Sequence, residues 1–137
     1  MAGAIRMRVE ILEQMLRQAR SDAGIECCGL LAGRDGIVSE IFPAENSLHS
    51  ATAYEIAPKD LFRLFRRMRE AGLEHLGQYH SHPASENFPS PSDIEQSGYP
   101  DQAYIIVSPR EGAAHPIRAF FIQNGSVREV EIITVEG

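Results

Sequence analysis

The strongest constraint on how this chain folds is a pair of glycine-containing turn signals, one toward each end. Asp35-Gly36, within Gly33-Arg34-Asp35-Gly36, separates the apolar runs 27–31 and 37–42, and Asn124-Gly125 separates 118–122 from 127–134. Both dipeptides suit the two central positions of a tight hairpin, where the backbone must enter the positive-φ region that Asn, Asp and Gly reach at least cost. Each end of the chain therefore predicts an antiparallel strand pair. Between these signals the period changes. Val9, Leu12, Met15, Leu16 and Ala19 recur at helical spacing, with Glu13, Arg17 and Arg20 between them, so residues 8 to about 20 read as an amphipathic helix whose stripe faces a sheet. Pro58 and Gly72 bracket a second stripe of Leu61, Leu64, Phe65 and Met68, with proline at the helix start and glycine past its end. Residues 103–107 add a strand, and 83–89 read as a loop. Helices and strands alternate without a regular βαβ period, which predicts an α+β or mixed α/β fold, a largely antiparallel sheet flanked by helices.

At 137 residues the chain suits one domain over 1–137, long enough to bury roughly two-thirds of the surface its unfolded form exposes. A net charge of −6 and the absence of any Lys/Arg block argue against a nucleic-acid surface. No apolar run is long enough to span a bilayer, and Arg6, Arg8, Glu10 and Glu13 interrupt the start of the chain, unlike a secretory signal. The cysteines, Cys27 and Cys28, are adjacent and make a poor structural staple, which fits a reducing compartment and a cytoplasmic location.

Against this ordinary background, His80-Ser81-His82-Pro83 stands out. If a strand through residues 76–79 ends at Pro83, His80 and His82 are two residues apart and project from one face, so two imidazoles can converge on one ion. A catalytic zinc takes three protein ligands, and Asp93 is the nearest candidate for the third. Ser90-Pro91-Ser92-Asp93 reads as a helix start, with Ser90 at the cap, Pro91 in the first helical position and Asp93 in the first turn. A hydrolytic centre also needs a base. Glu26 opens an otherwise apolar segment, Cys27-Cys28-Gly29-Leu30-Leu31, where a buried carboxylate is costly unless it is paired or functional.

Glu26 ahead of a Cys-Gly-Leu-Leu strand, His80-x-His82-Pro83, and Ser90-x-x-Asp93, in that order, closely resemble the JAMM family of metalloproteases, also called MPN-plus or Mov34-type. Asn46, Tyr54-Glu55-Ile56 before Pro58, and Gly77-Gln78-Tyr79 extend the likeness to the small bacterial members, although Ile25 stands where many members carry proline. The resemblance implies a cytidine-deaminase-like α/β architecture and one catalytic zinc held by His80, His82 and Asp93. It also implies that Glu26 is the proton carrier and that Ser90 donates to the oxyanion. The implied activity is a peptidase or isopeptidase cutting after the C-terminal Gly-Gly of a ubiquitin-like protein, with a sulfur-carrier protein as the favoured partner. An extended diglycine tail suits a narrow cleft that rejects any Cβ near the metal. Oligomeric state is left open.

Simpler readings stand beside these. Ser-x-x-Asp before a helix is also a capping-box signature that needs no metal, and a cap would fix Asp93 in a ligand's orientation. Cys27 and Cys28 read as small buried hydrophobes. Arg63, Arg66, Arg67 and Arg69 read as the solvated face of their helix, and His49, His75 and His115 as ordinary polar residues. The alternative of a different class is a non-catalytic MPN-type scaffold.

Overall fold

The computed structural model of the protein describes residues 3–22 and 24–136, so the outermost residues of the 1–137 span lie outside the described residues. In chain order the elements are β1 (Ala4–Arg8), α1 (Val9–Ser21), β2 (Cys28–Arg34), β3 (Ile37–Ala44), α2 (Pro58–Glu70), β4 (Glu74–Ser81), α3 (Pro91–Glu95), β5 (Ala103–Val107), β6 (Ile117–Gln123) and β7 (Ser126–Val135). Both hairpins form. Asp35 and Gly36 have φ of 56° and 74°, and Asn124 and Gly125 have 51° and 79°, so both central residues of each turn are left-handed, as a hairpin that follows strand twist requires. Pro58 opens α2, and Gly72 at φ 70° closes it, with Leu73 N–H donating to the Met68 carbonyl at 2.9 Å.

One strand escapes the hydrophobic pattern. β1 is only five residues, buries just Ile5 and Met7, and runs into α1 without a break, so its short alternation is hidden by the helical period that follows. It decides the architecture nonetheless. β1 pairs in parallel with β7, Ala4 opposite Glu131 through Arg8 opposite Val135, and in parallel with β3 at Arg6 and Met7. These pairings close the strand order β1-β3-β2-β4-β5-β6-β7 into a barrel, so the expected mixed sheet with its helices has no free edge.

Three neighbouring strands, β2, β4 and β5, divide their residues between two faces. Leu31, Tyr79, Ile105 and Val107 join Ile11, Met15 and Ala19 of α1 in the main apolar core. Fully burying side chains of this size contributes about 1.5–3 kcal/mol each. On the other face, Leu30 and Ala32 pack under Leu64 and Met68 of α2, and Gln78 and His80 continue that face along β4. β2 is tightly packed at both Gly33, where a methyl group would overlap the Ile37 carbonyl, and Gly29, where it would overlap the Tyr79 hydroxyl and the Phe42 carbonyl. Among the described residues no helix is long and apolar enough to cross a membrane.

Cys27 lies in the main core, and Cys28 is buried with its thiol 3.7 Å from the Ala44 carbonyl. Burial pushes the two thiols up to about 11 and about 12, far from thiolate at neutral pH, which agrees with packing rather than nucleophilic roles.

Candidate metal centre

The site assembles where β4 runs out. Ser81 N–H donates to the Cys27 carbonyl at 3.0 Å, and Cys27 N–H donates back to Ser81 Oγ at 2.9 Å. This reciprocal clamp holds the chain ahead of β2, and with it Glu26, beside the two histidines. Glu26 itself sits two residues before the strand, its N–H donating to the Ser50 carbonyl at 2.8 Å and its carbonyl accepting from Asn46 Nδ2 at 3.0 Å. His82 N–H donates to the Val107 carbonyl at 2.9 Å, prolonging the β4–β5 pairing past the strand end.

Asp93 arrives from the other side through the predicted helix cap. Ser90 Oγ accepts from Asp93 N–H at 3.1 Å, and Ser90 N–H donates to Asp93 Oδ2 at 2.9 Å, so the capping box and the site use the same pair of residues. The cap leaves the hydroxyl hydrogen of Ser90 uncommitted, because Oγ serves there as an acceptor.

His80 Nε2, His82 Nε2 and Asp93 Oδ2 form a nearly equilateral triangle with sides of 3.2, 3.2 and 3.1 Å. A tetrahedral zinc with bonds near 2.0–2.1 Å separates its ligand atoms by about 3.3 Å, so the triangle matches one face of such a site. The donor chemistry fits as well. His82 Nδ1 donates to the Glu86 carbonyl at 2.8 Å, so in the neutral ring it is Nε2 that carries the lone pair a metal would take, the same atom that, when protonated, donates to Asp93. Including Glu26, the four ligand atoms lie within 4.8 Å of one another. Glu26 Oε1 is buried with no hydrogen-bond partner among the described residues, an orphan that a water or metal beside the triangle would satisfy.

The electrostatics follow from burial and mutual contact. Burial pushes the Glu26 carboxyl up to about 7, opposed in part by His82. Burial also pulls His80 down, favouring the neutral imidazole a metal requires. For Asp93, burial works upward, but the hydrogen bonds from His80 and His82 outweigh it and hold the carboxyl well below the usual carboxylate range.

A cavity of about 180 Å³ opens beside the triangle, bounded by His80 and Asp93 and walled mainly by Leu30, Tyr54, Ile56 and Tyr104. His82 and Glu26 are not among the residues that line it.

The five residues singled out in the sequence thus come together, but three others that support them were not read as part of the site. Asn46, 3% exposed, organises the segment between β3 and α2. Asn87 pins the 83–89 loop by donating to the carbonyls of Ile106 and His115 at 3.3 and 2.8 Å, so that loop is tethered rather than free. Tyr54 stacks on His80 with ring centroids 4.6 Å apart. Asn46 and Tyr54 carried a signal only through family likeness, and Asn87 carried none, since a polar residue in a loop gives no pattern of burial. His49 is exposed in a pair with Glu45, and His75 lies edge-on to Phe65 and Tyr99, both away from the triangle. On α2, Arg63 and Arg66 pair with Asp60 and Glu70 on its outer face, while Arg67 covers the Phe42 ring.

Comparison with known proteins gives a consistent picture. The family described as prokaryotic homologs of the JAB domain matches residues 8–123. The chain is 33% identical over 132 residues to a CysO-cysteine peptidase of Mycobacterium bovis, covering 95% of this chain and 90% of that protein. It is 34% identical over 105 residues to a desampylase of Haloferax volcanii, covering 74% and 76%. Among structures, the solution structure of protein DSY2949 from Desulfitobacterium hafniense superposes with a TM-score of 0.87 at 34% identity, covering 97% of this chain and 94% of that one.

Proposed function

The chain belongs to the prokaryotic JAB-domain family, and on that premise we propose that it is a zinc-dependent peptidase or isopeptidase. Its substrate is a ubiquitin-like protein of the sulfur-carrier type, cut after the C-terminal Gly-Gly. It is a hydrolase, and we read 1–137 as one catalytic domain acting in the cytoplasm. The observation that carries the reading is the convergence of His80, His82 and Asp93 on one point with Glu26 beside it. Relatives that are a CysO-cysteine peptidase and a desampylase support the substrate class.

His80, His82 and Asp93 would hold the ion. Bound zinc supplies a Lewis acid that polarises a carbonyl and acidifies water. Glu26 takes a proton from the attacking water as the new C–O bond forms, and delivers it to the leaving nitrogen as the C–N bond breaks. Burial that raises the carboxyl above the ordinary carboxylate range favours its holding the proton between the two halves of that task. Ser90, whose hydroxyl hydrogen the cap leaves uncommitted, donates to the developing oxyanion. Glu26 must reach the leaving nitrogen, and the cavity beside His80 and Asp93 offers the acyl chain with its glycine tail a place to run.

The test is direct. Metal-replete protein should release the residue appended to a diglycine-tailed carrier, a chelator should stop it and zinc should restore it. Protein that binds zinc tightly yet cuts no diglycine-tailed substrate would leave the non-catalytic scaffold as the better reading.

A further inference from the structure

The two histidines of the triangle are supported in different ways. His82 Nδ1 donates to the Glu86 carbonyl, whereas His80 Nδ1 is buried with no hydrogen-bond partner among the described residues. A metal-binding imidazole ordinarily has its second nitrogen held by an acceptor, which fixes ring rotation and tautomer. In place of an acceptor, His80 has an aromatic face. The Tyr54 ring lies over it at 4.6 Å between centroids with 25° between the planes.

We infer that Tyr54 is a positioning residue for the metal centre, its stacked ring doing for His80 what the Glu86 carbonyl does for His82. Resting on the metal reading above, this assigns a role to a side chain that touches neither ion nor scissile bond. A stacked ring resists rotation of the imidazole about its own bond, since turning His80 out of plane drives its edge into Tyr54. The contact also excludes water from a ring that has no acceptor to offer in exchange.

Tyr54 can act this way only if it is itself fixed, and the segment that carries it, between β3 and α2, has no regular secondary structure. Asn46 supplies the rigidity. Its Nδ2 donates to the Ala53 carbonyl at 3.0 Å and its Oδ1 accepts from Glu55 N–H at 3.2 Å, gripping the backbone on both sides of Tyr54. The same Nδ2 donates to the Glu26 carbonyl at 3.0 Å. One buried amide therefore keeps the proton carrier and the ring over His80 in register with each other.

Zinc affinity of the metal-depleted full-length chain, measured by competition with a chromophoric chelator, separates this role from simple packing. Tyr54→Leu should bind zinc about 10-fold more weakly. Tyr54→Phe, which keeps the ring and loses only the hydroxyl, should match the wild type, and only the Leu variant should alter the visible spectrum of the cobalt-substituted protein. Equal affinity for Leu and wild type, or an equal loss for Phe and Leu, overturns the inference. Should Tyr54→Leu fail to fold, the metal-free wild type decides by NMR. His80 ring protons displaced upfield by the Tyr54 ring in a single set of signals support stacking, and rotationally averaged signals at ordinary shifts overturn it. Wild-type protein that shows the stacked His80 but takes up no zinc overturns the metal reading and the positioning role together. Zinc uptake without cleavage overturns the proposed substrate and leaves the role of Tyr54 standing.

Discussion

The two faces of β4 carry opposite kinds of chemistry on the same eight residues. Tyr79 points into the main core and is fully buried among Leu31, Ile105 and the α1 stripe, and its hydroxyl hydrogen-bonds to Gln18. His80, one residue on, points to the other face and meets His82, Asp93 and Tyr54. Burial is equal, at 0% and 1% exposed, so burial does not distinguish core from site. What distinguishes them is satisfaction. Along β4 the core face buries Tyr79 with its hydroxyl paired, while the site face buries Gln78 Oε1 and His80 Nδ1, with Glu26 Oε1 beside them, without partners among the described residues. Unpaired buried polar groups cost about 1–3 kcal/mol each, and the dry face has the stability to offset them.

If the faces divide the work in this way, substitutions on each should move different observables. The largest effect is expected for Glu26→Gln, which should lower turnover by up to about 10,000-fold with zinc still bound, measured as cleavage rate against metal content. Comparable turnover would remove Glu26 from the mechanism. Ser90→Ala should follow, lowering kcat by about 100- to 1,000-fold through the lost oxyanion donor, and costing about 1 kcal/mol of stability through the lost cap. A stability loss with kcat intact would reduce Ser90 to a cap. On the core face, Leu31→Ala should cost about 2–5 kcal/mol in urea denaturation and leave the activity per folded molecule near wild type.

The smallest effect sharpens the contrast through pH. Glu26 goes from the ordinary 4.5 of the unfolded chain to about 7 in the fold, so below 4.5 both states hold the proton and its titration contributes nothing. Between these values the unfolded chain loses its proton first, so stability falls as pH rises, and the full penalty persists above about 7. Metal-free Glu26→Gln should therefore melt higher than metal-free wild type at pH 8, with the gain shrinking to nothing by pH 4. A gain independent of pH would mean that the carboxyl is not desolvated in the folded chain.

Local rules carried much of the fold. The two hairpins, the start and stop of α2, and the short helix at Pro91 were legible because each depends on residues within a few positions of one another, where backbone preference dominates. The candidate metal ligands were legible for a related reason. His-x-His on a strand and a carboxylate in a helix cap are local geometries, and their order with Glu26 along the chain marks the family. β1 was not legible, because its pairing with β7 joins the two ends of the chain and leaves no trace in either segment alone.

By itself, then, the amino-acid sequence determined every element but β1 and which side chains are the candidates for the chemistry, since both follow from short-range conformational preference and residue type. Closure of the barrel, the clamp between Ser81 and Cys27 that brings Glu26 to the histidines, and the stacking of Tyr54 on His80 were decided only by tertiary structure. Each of these joins segments far apart in the chain, and which partner a buried polar group or ring finds depends on how the whole core packs.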